Sequence, residues 1–364
     1  GNNKSAAEIE AALAAGVGRI VLDSLGEVDR VADAAARRGV VAPVMVRVTT
    51  GVHAHTHEFI STAHEDQKFG LSVAGGQASQ ALRAVLARPE LELLGLHSHI
   101  GSQILDLGGF EVAARRLLAL RVELADERGV LMPEVDLGGG YGIAYTGAER
   151  VPDPATVATV LADVVARACA EAGAPAPRIS LEPGRAIGGP STFTLYTVGT
   201  VKEVETGEGP GGVPRRRYVA VDGGMSDNIR TALYGAEYTA ALAGRESAAA
   251  PVRSRVVGMH CESGDVVVRD VDLPGDVRPG DLLAVPATGA YGRSMASNYN
   301  LVPRPPVVAV RHGHVRVLVR RETIEDVLAL DQGVDGRPPA GTEPETDGAR
   351  GAAGSAAPGR RDVP

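Results

Sequence analysis

The sequence predicts a parallel α/β domain followed by a mostly antiparallel β domain, on three observations. Short apolar runs alternate with amphipathic helical patterns up to about residue 187, as expected of parallel strands joined by helical crossovers. Beyond Gly188 the helical period gives way to closely spaced β-type runs separated by Gly and Pro. From Gln332 onward the large aliphatics fall to Val334 and Val363 among Gly, Pro, Ala and charges. The expected layout is therefore an α/β domain over 1–187, a β domain over 188–331 and a disordered tail over 332–364.

Each element has its own signature. Ser5 and Glu8 have capping-box spacing, followed by Ile9, Ala12 and Leu13 on one helical face. A buried strand over 20–23 follows. Ser24 and Glu27 repeat the capping spacing ahead of Val28, Val31 and Ala35, and Gly39 closes that helix. Strands are expected over 44–48, 93–100, 135–137 and 179–181, with helices near 77–86 and 110–128. Asp153 reads as an N-cap with Pro154 in the first turn, ahead of Val157, Val160, Leu161, Val164 and Val165. In the second half, strands are expected over 192–205, 218–222, 253–259, 282–285, 307–311 and 315–320. Helix is expected only within 227–242.

Composition narrows the function. Hydrophobic residues make up 44% and charged residues 23% of the 364, enough for a sizeable core. A net charge of −8 with 3% aromatics speaks against nucleic-acid binding. No apolar run is long enough for a membrane span, and the two cysteines, Cys169 and Cys261, make no disulfide framework, so a cytoplasmic protein is expected.

Functional groups in parallel α/β folds gather where strands run into loops, and four such endings stand out. His97-Ser98-His99 places two imidazoles on one face of the expected strand, just before Gly101 and Ser102. Gly138-Gly139-Gly140-Tyr141-Gly142 lets backbone N–H groups approach a phosphate, although a tight turn explains it equally well. Glu182-Pro183-Gly184-Arg185 puts a carboxylate near a guanidinium, either a surface ion pair or partners for a heterocyclic N–H and an anion. His260-Cys261-Glu262-Ser263-Gly264-Asp265 flanks a thiol with titratable groups, which suits a proton donor or nucleophile. The histidines His53, His55, His57 and His64 lie in a long loop without a matching carboxylate or cysteine set, so no metal site is expected.

These endings resemble the fold-type III, pyridoxal-phosphate-dependent decarboxylases, and within them the diaminopimelate decarboxylase branch. The match runs from residue 1 to about 330 and includes residues 1–5, 56–70, 97–103, 136–142 and 182–185. It continues with Asp222-Gly223-Gly224, residues 230–234, 260–265 and 289–291. The resemblance implies a TIM barrel followed by the β domain, with pyridoxal 5'-phosphate as cofactor. It implies that His99 stacks on the pyridine ring, that Ser102, Gly139, Gly140, Gly184, Arg185 and Tyr291 hold the cofactor, and that Glu182 pairs with the pyridine nitrogen. Arg185, Arg230, Tyr234 and Tyr291 would bind substrate, Glu262 its distal ammonium, and Cys261 would deliver the proton that replaces CO2. In this family Cys261 and Glu262 serve the partner's site, which implies a homodimer converting meso-2,6-diaminopimelate to L-lysine.

One departure stands out. The Schiff-base lysine of the family ends the first barrel strand in a Tyr-Ala-x-Lys motif, and none of the three lysines here, Lys4, Lys68 and Lys202, occupies that place. Strand counting agrees: Lys4 matches the end of a third strand, with five more after it. The expectation is a TIM barrel lacking its first two strands and most of a third. Two alternatives stay open: a catalytically dead homologue acting by dimerisation, and a decarboxylase of another basic amino acid such as ornithine or arginine.

Overall fold

The computed structural model describes residues 1–52, 67–206 and 215–333. The histidines His53 to His64 and nearly all of the expected tail lie outside the described residues. The chain divides into two compact units, Gly1–Ser297 and Asn298–Pro364.

The first unit opens with α1 (Ala6–Ala14), held by the expected capping box: Ser5 Oγ accepts from Glu8 N–H, and Glu8 accepts from Ser5 N–H. β1 (Ile20–Leu22) and α2 (Leu25–Arg38) follow. The second expected capping box does not form, since Ser24 makes no side-chain cap bond. Glu27 turns inward instead. Its carboxylate accepts from Lys4 Nζ at 2.7 Å, Lys4 N–H at 3.0 Å and Asp23 N–H at 2.8 Å. Lys4 Nζ also donates to the carbonyls of Gly1 and Val21. Burying Glu27 thus supplies partners for backbone donors that would otherwise be orphaned.

Next come β2 (Ala42–Thr49), β3 (Leu71–Ser72), α3 (Gln77–Leu86), β4 (Leu91–His97), α4 (Gly108–Arg128), β5 (Glu134–Asp136), α5 (Pro154–Glu171), β6 (Arg178–Ser180) and α6 (Gly184–Gly188). Asp153 caps α5 through the N–H groups of Ala155 and Thr156, as its sequence predicts. The strands pair in parallel in the order β1-β2-β4-β5-β6, with β3 against the end of β2. Val28, Val31, Leu82, Leu117 and Val164 from the helices share one core with Val44, Val46, Leu96 and Val135 from the strands. β4 is shorter than the expected 93–100. It stops at His97 because its neighbour β5 ends at Asp136 and Gly138 turns away with φ 70°.

The second sheet is built from β7 (Phe193–Glu205), β8 (Arg215–Val221), β9 (Ala241–Ala243), β10 (Pro251–Val257), β11 (Val266–Pro274) and β12 (Leu282–Pro286), in the order β11-β10-β8-β7-β12-β9. It is antiparallel except for the β10–β8 pair. The helix expected within 227–242 shrinks to α7 (Arg230–Tyr234), which Gly235 ends in the left-handed region before the chain enters β9. β11 escapes sequence reading because Arg269, Asp270 and Asp272 interrupt its apolar run, although Val267, Val268, Val271 and Leu273 are all buried. Ile143 and Tyr145, from the loop before α5, join the core of this sheet. α8 (Gly292–Met295) closes the unit. The second unit holds the hairpin of β13 (Val307–Arg311) and β14 (His314–Val319), turned at His312 and Gly313 with both φ positive, and then α9 (Ile324–Leu328).

Removing the Glu27 carboxylate with Glu27→Ala is expected to cost about 2–4 kcal/mol, read from denaturant unfolding. Burial pushes the Glu27 pKa up, but the bonds from Lys4 and from the Asp23 backbone outweigh it and hold the pKa below its usual value. A depressed folded pKa adds stability above the unfolded value of about 4.3 and loses it as pH falls through the folded value. The acid-induced loss of stability should therefore be smaller in the variant.

Candidate active site

The site begins with strand register. Arg47 on β2 is paired with His97 on β4, and His97 with Asp136 on β5, so three polar residues form one row across the carboxyl ends of the parallel strands. Asp23, just past β1, meets Arg47 at 3.4 Å. Glu182, just past β6, brings Oε2 to 3.4 Å from His97 Nε2. A cavity of about 380 Å³ opens here, lined by Gly1, Val21, Asp23, Arg47, Phe69, His97, His99 and Glu182.

His97 and His99 do not share a strand face as expected, because His99 falls beyond the end of β4; both still line this cavity. His99 Nδ1 accepts a hydrogen bond from Gly139 N–H at 3.2 Å, which places any ring proton on Nε2. Partial burial, followed by the Arg47 cation, lowers the His99 pKa and favours the neutral ring. Glu182 is held below its usual value, first by its bond to His97. Asp136 is pushed the other way by burial.

The glycine run is explained by close packing. A Cβ on Gly138 would strike the Ser98 carbonyl, one on Gly139 the Glu182 carbonyl, and one on Gly140 the Gly101 carbonyl. Strand ends β4, β5 and β6 therefore approach backbone to backbone. Gly139 N–H is spent on His99 and Gly138 N–H on Asp136.

A second cluster adjoins this one through Glu182-Pro183-Gly184-Arg185. Arg185 Nη2 donates to Ser102 Oγ at 2.8 Å, and Nη1 donates to Tyr145 Oη. Its guanidinium stands 4.9 Å from the Tyr291 ring centre, and Tyr291 itself holds a left-handed backbone with φ 65°. Arg230 is buried, bonded to Tyr238 Oη at 2.7 Å and stacked over Tyr145 at 4.7 Å. Tyr234 is exposed on α7.

Cys261 and Glu262 lie on the loop after β10, both exposed. Asp265 anchors that loop, accepting from His260 N–H at 2.8 Å and from Met225 N–H at 2.6 Å, while His260 Nε2 meets Ser226 Oγ at 2.9 Å. Sequence reading passes over Arg47, Asp136 and Tyr145. A charged residue inside the apolar run Val44-Met45-Val46-Arg47-Val48 is the available signal for the first.

The comparisons with known proteins agree with this geometry. Residues 1–189 match the family model described as "Pyridoxal-dependent decarboxylase, pyridoxal binding domain". The diaminopimelate decarboxylase of Mycobacterium tuberculosis is 55% identical over 335 residues, covering 91% of this chain and 74% of that protein. The chain belongs to the diaminopimelate decarboxylase family. The enzyme of that name from Bacillus subtilis is 44% identical, covering 91% of this chain and 73% of its own length. Among solved structures, diaminopimelate decarboxylase from M. jannaschii with L-lysine aligns at a TM-score of 0.81 and 33% identity over 91% of this chain and 73% of that one. The Helicobacter pylori enzyme with L-lysine aligns at 0.76 and 31% identity, covering 90% of this chain and 76% of that one. The fold is that of this family: a TIM-barrel domain, whose parallel strands and helices are described above, and a mostly antiparallel β domain.

The cofactor of the family fits the residues present. The Glu182 carboxylate and the His99 ring line one cavity, and a hydroxyl–guanidinium pair of Ser102 and Arg185 adjoins them through the 182–185 segment. Lys4 Nζ is bonded to Glu27, Lys68 Nζ stands 4.9 Å from the Phe69 ring centre, and Lys202 is on β7.

Gly139→Ala should force the Glu182 backbone outward, at a cost of about 1–3 kcal/mol in unfolding free energy. Gly147→Ala, where an added Cβ meets nothing within 4 Å, should leave the unfolding midpoint unchanged.

Proposed function

We propose that this protein decarboxylates meso-2,6-diaminopimelate to L-lysine with pyridoxal phosphate, as a homodimer in the cytoplasm. The observation that carries the reading is the Glu182 carboxylate, set at the strand ends 3.4 Å from His97 and lining one cavity with His99. A carboxylate there keeps a heterocyclic nitrogen protonated, whereas a neutral partner would not. The curated relatives from Mycobacterium and Bacillus, diaminopimelate decarboxylases by name, supply the substrate class.

Glu182 would hold the pyridine nitrogen and His99 would cover one ring face. Ser102, Arg185, Tyr291 and the Gly140 backbone would take the phosphate, with Gly139, whose N–H is given to His99, and Gly184 at the start of α6 allowing close approach. When bound, the cofactor supplies an electron sink for the pair left on carbon as CO2 departs. Arg185, Arg230, Tyr234 and Tyr291 would orient the substrate carboxylates, and Glu262 its distal ammonium. The Cys261 thiol would pass its proton to the carbon that has lost CO2. Exposure of Cys261 and Glu262, together with Met259, Leu233 and Tyr234, supports a second subunit over this surface. No helix among the described residues is long and apolar enough to cross a membrane.

The test is CO2 and lysine formation from meso-diaminopimelate by the full gene product with pyridoxal phosphate. Lysine is the expected product; turnover of ornithine or arginine in its place would overturn the substrate assignment, and no turnover at all the reaction. Cys261→Ala is expected to lower kcat about 10²–10⁴-fold with little change in KM.

A further inference from the structure

We infer that His97 is a positioning residue, whose Nε2–H holds the Glu182 carboxylate in place across the mouth of the cavity. The inference rests on the proposed role of Glu182 toward the heterocyclic nitrogen. It is carried by three observations about one side chain.

First, His97 is only 5% exposed, although it stands at a strand end beside a cavity. The β4–β2 and β4–β5 registers fix it between Arg47 and Asp136, so its backbone has no latitude. Second, its Nε2 lies 3.4 Å from Glu182 Oε2, while its Nδ1 is buried without a hydrogen-bond partner. An imidazolium would bury an Nδ1–H with no acceptor, a cost that a bare lone pair largely avoids. The arrangement that leaves a bare lone pair on Nδ1 puts a proton on Nε2, aimed at Glu182. Third, the Glu182 side chain is 50% exposed, so water competes for its carboxylate and several rotamers are open to it. Its backbone is pinned by Glu182 N–H to Gly138 O at 2.9 Å. The bond to His97 is what selects the side-chain rotamer.

The other groups facing this carboxylate do not replace His97. His99 gives its Nδ1 to Gly139, and Arg47, which pairs with Asp23, acts on Glu182 through charge. Asp136, whose ligand-type oxygen lies within 4.8 Å of the same cluster, is an acceptor tied to Gly138 N–H. Burial raises the Asp136 pKa, while the bond to His97 lowers that of Glu182.

The experiment titrates the Glu182 carboxyl by ¹³C NMR in the cofactor-free full chain, assigned with Glu182→Gln. His97→Leu removes the donor, and His97→Gln keeps an N–H at similar reach. The Glu182 midpoint should rise in His97→Leu and return toward wild type in His97→Gln. On adding pyridoxal phosphate, the dissociation constant should increase about tenfold in the Leu variant and less in the Gln variant. Should His97→Leu fail to fold by circular dichroism, His97→Asn, too short to reach Glu182, replaces it with the same expected rise. An unmoved midpoint in a folded donor-less variant would overturn the inference, as would equal shifts in both variants, which would make the role one of bulk. Failure of the proposed reaction reads out separately, as no lysine formed while the Glu182 midpoint behaves as expected.

Discussion

Parallel pairing of β2, β4 and β5 in one register is the constraint that fixes the site. Side chains alternate along a strand, so a slip of one residue would send Arg47, His97 and Asp136 into the helix-covered face and bring Val46, Leu96 and Val135 out. Those three apolar residues are fully buried. Burial of the apolar set therefore enforces the polar row, and hydrophobic packing on one side of the sheet sets the chemistry on the other. Once the row is in place, the tight approach at Gly138, Gly139 and Gly140 and the position of Glu182 follow from the strand ends.

The second sheet contributes by a different device. Asp265 collects N–H groups from His260 and Met225, and Gly224 and Gly258 leave no Cβ against its carboxylate. Asp227, raised in pKa chiefly by burial, does the same for Gly224 N–H and takes the Tyr196 hydroxyl at 2.5 Å. These carboxyls bind the loop bearing Cys261 and Glu262 to the loop that leads into Arg230. Tyr145, packed edge-on against Tyr238 with ring centres 5.1 Å apart, joins that assembly to the first half of the unit, since it also meets Arg185. Arg185 and Arg230 thus share one aromatic partner, although one lies on α6 and the other on α7.

The alternation of strands and helices, the caps at Ser5 and Asp153, and the four strand-end motifs are legible in the residues alone. These features are local: they depend on period, on turn residues and on side chains that bond within three positions. The same local rule fails at Glu27, where Lys4 and the Asp23 backbone compete for the carboxylate and win because burial leaves them no water. It fails again at β11, whose charged residues lie on the exposed face and hide a buried strand. Other contacts came only with the folded chain: His97 meets Glu182 across 85 positions of sequence, Arg185 bridges Ser102 and Tyr145, and His99 gives its ring nitrogen to Gly139. They are set by strand register and by backbone approach at glycine: the sequence marks the glycines at 138–140, but not the distant residues that meet there.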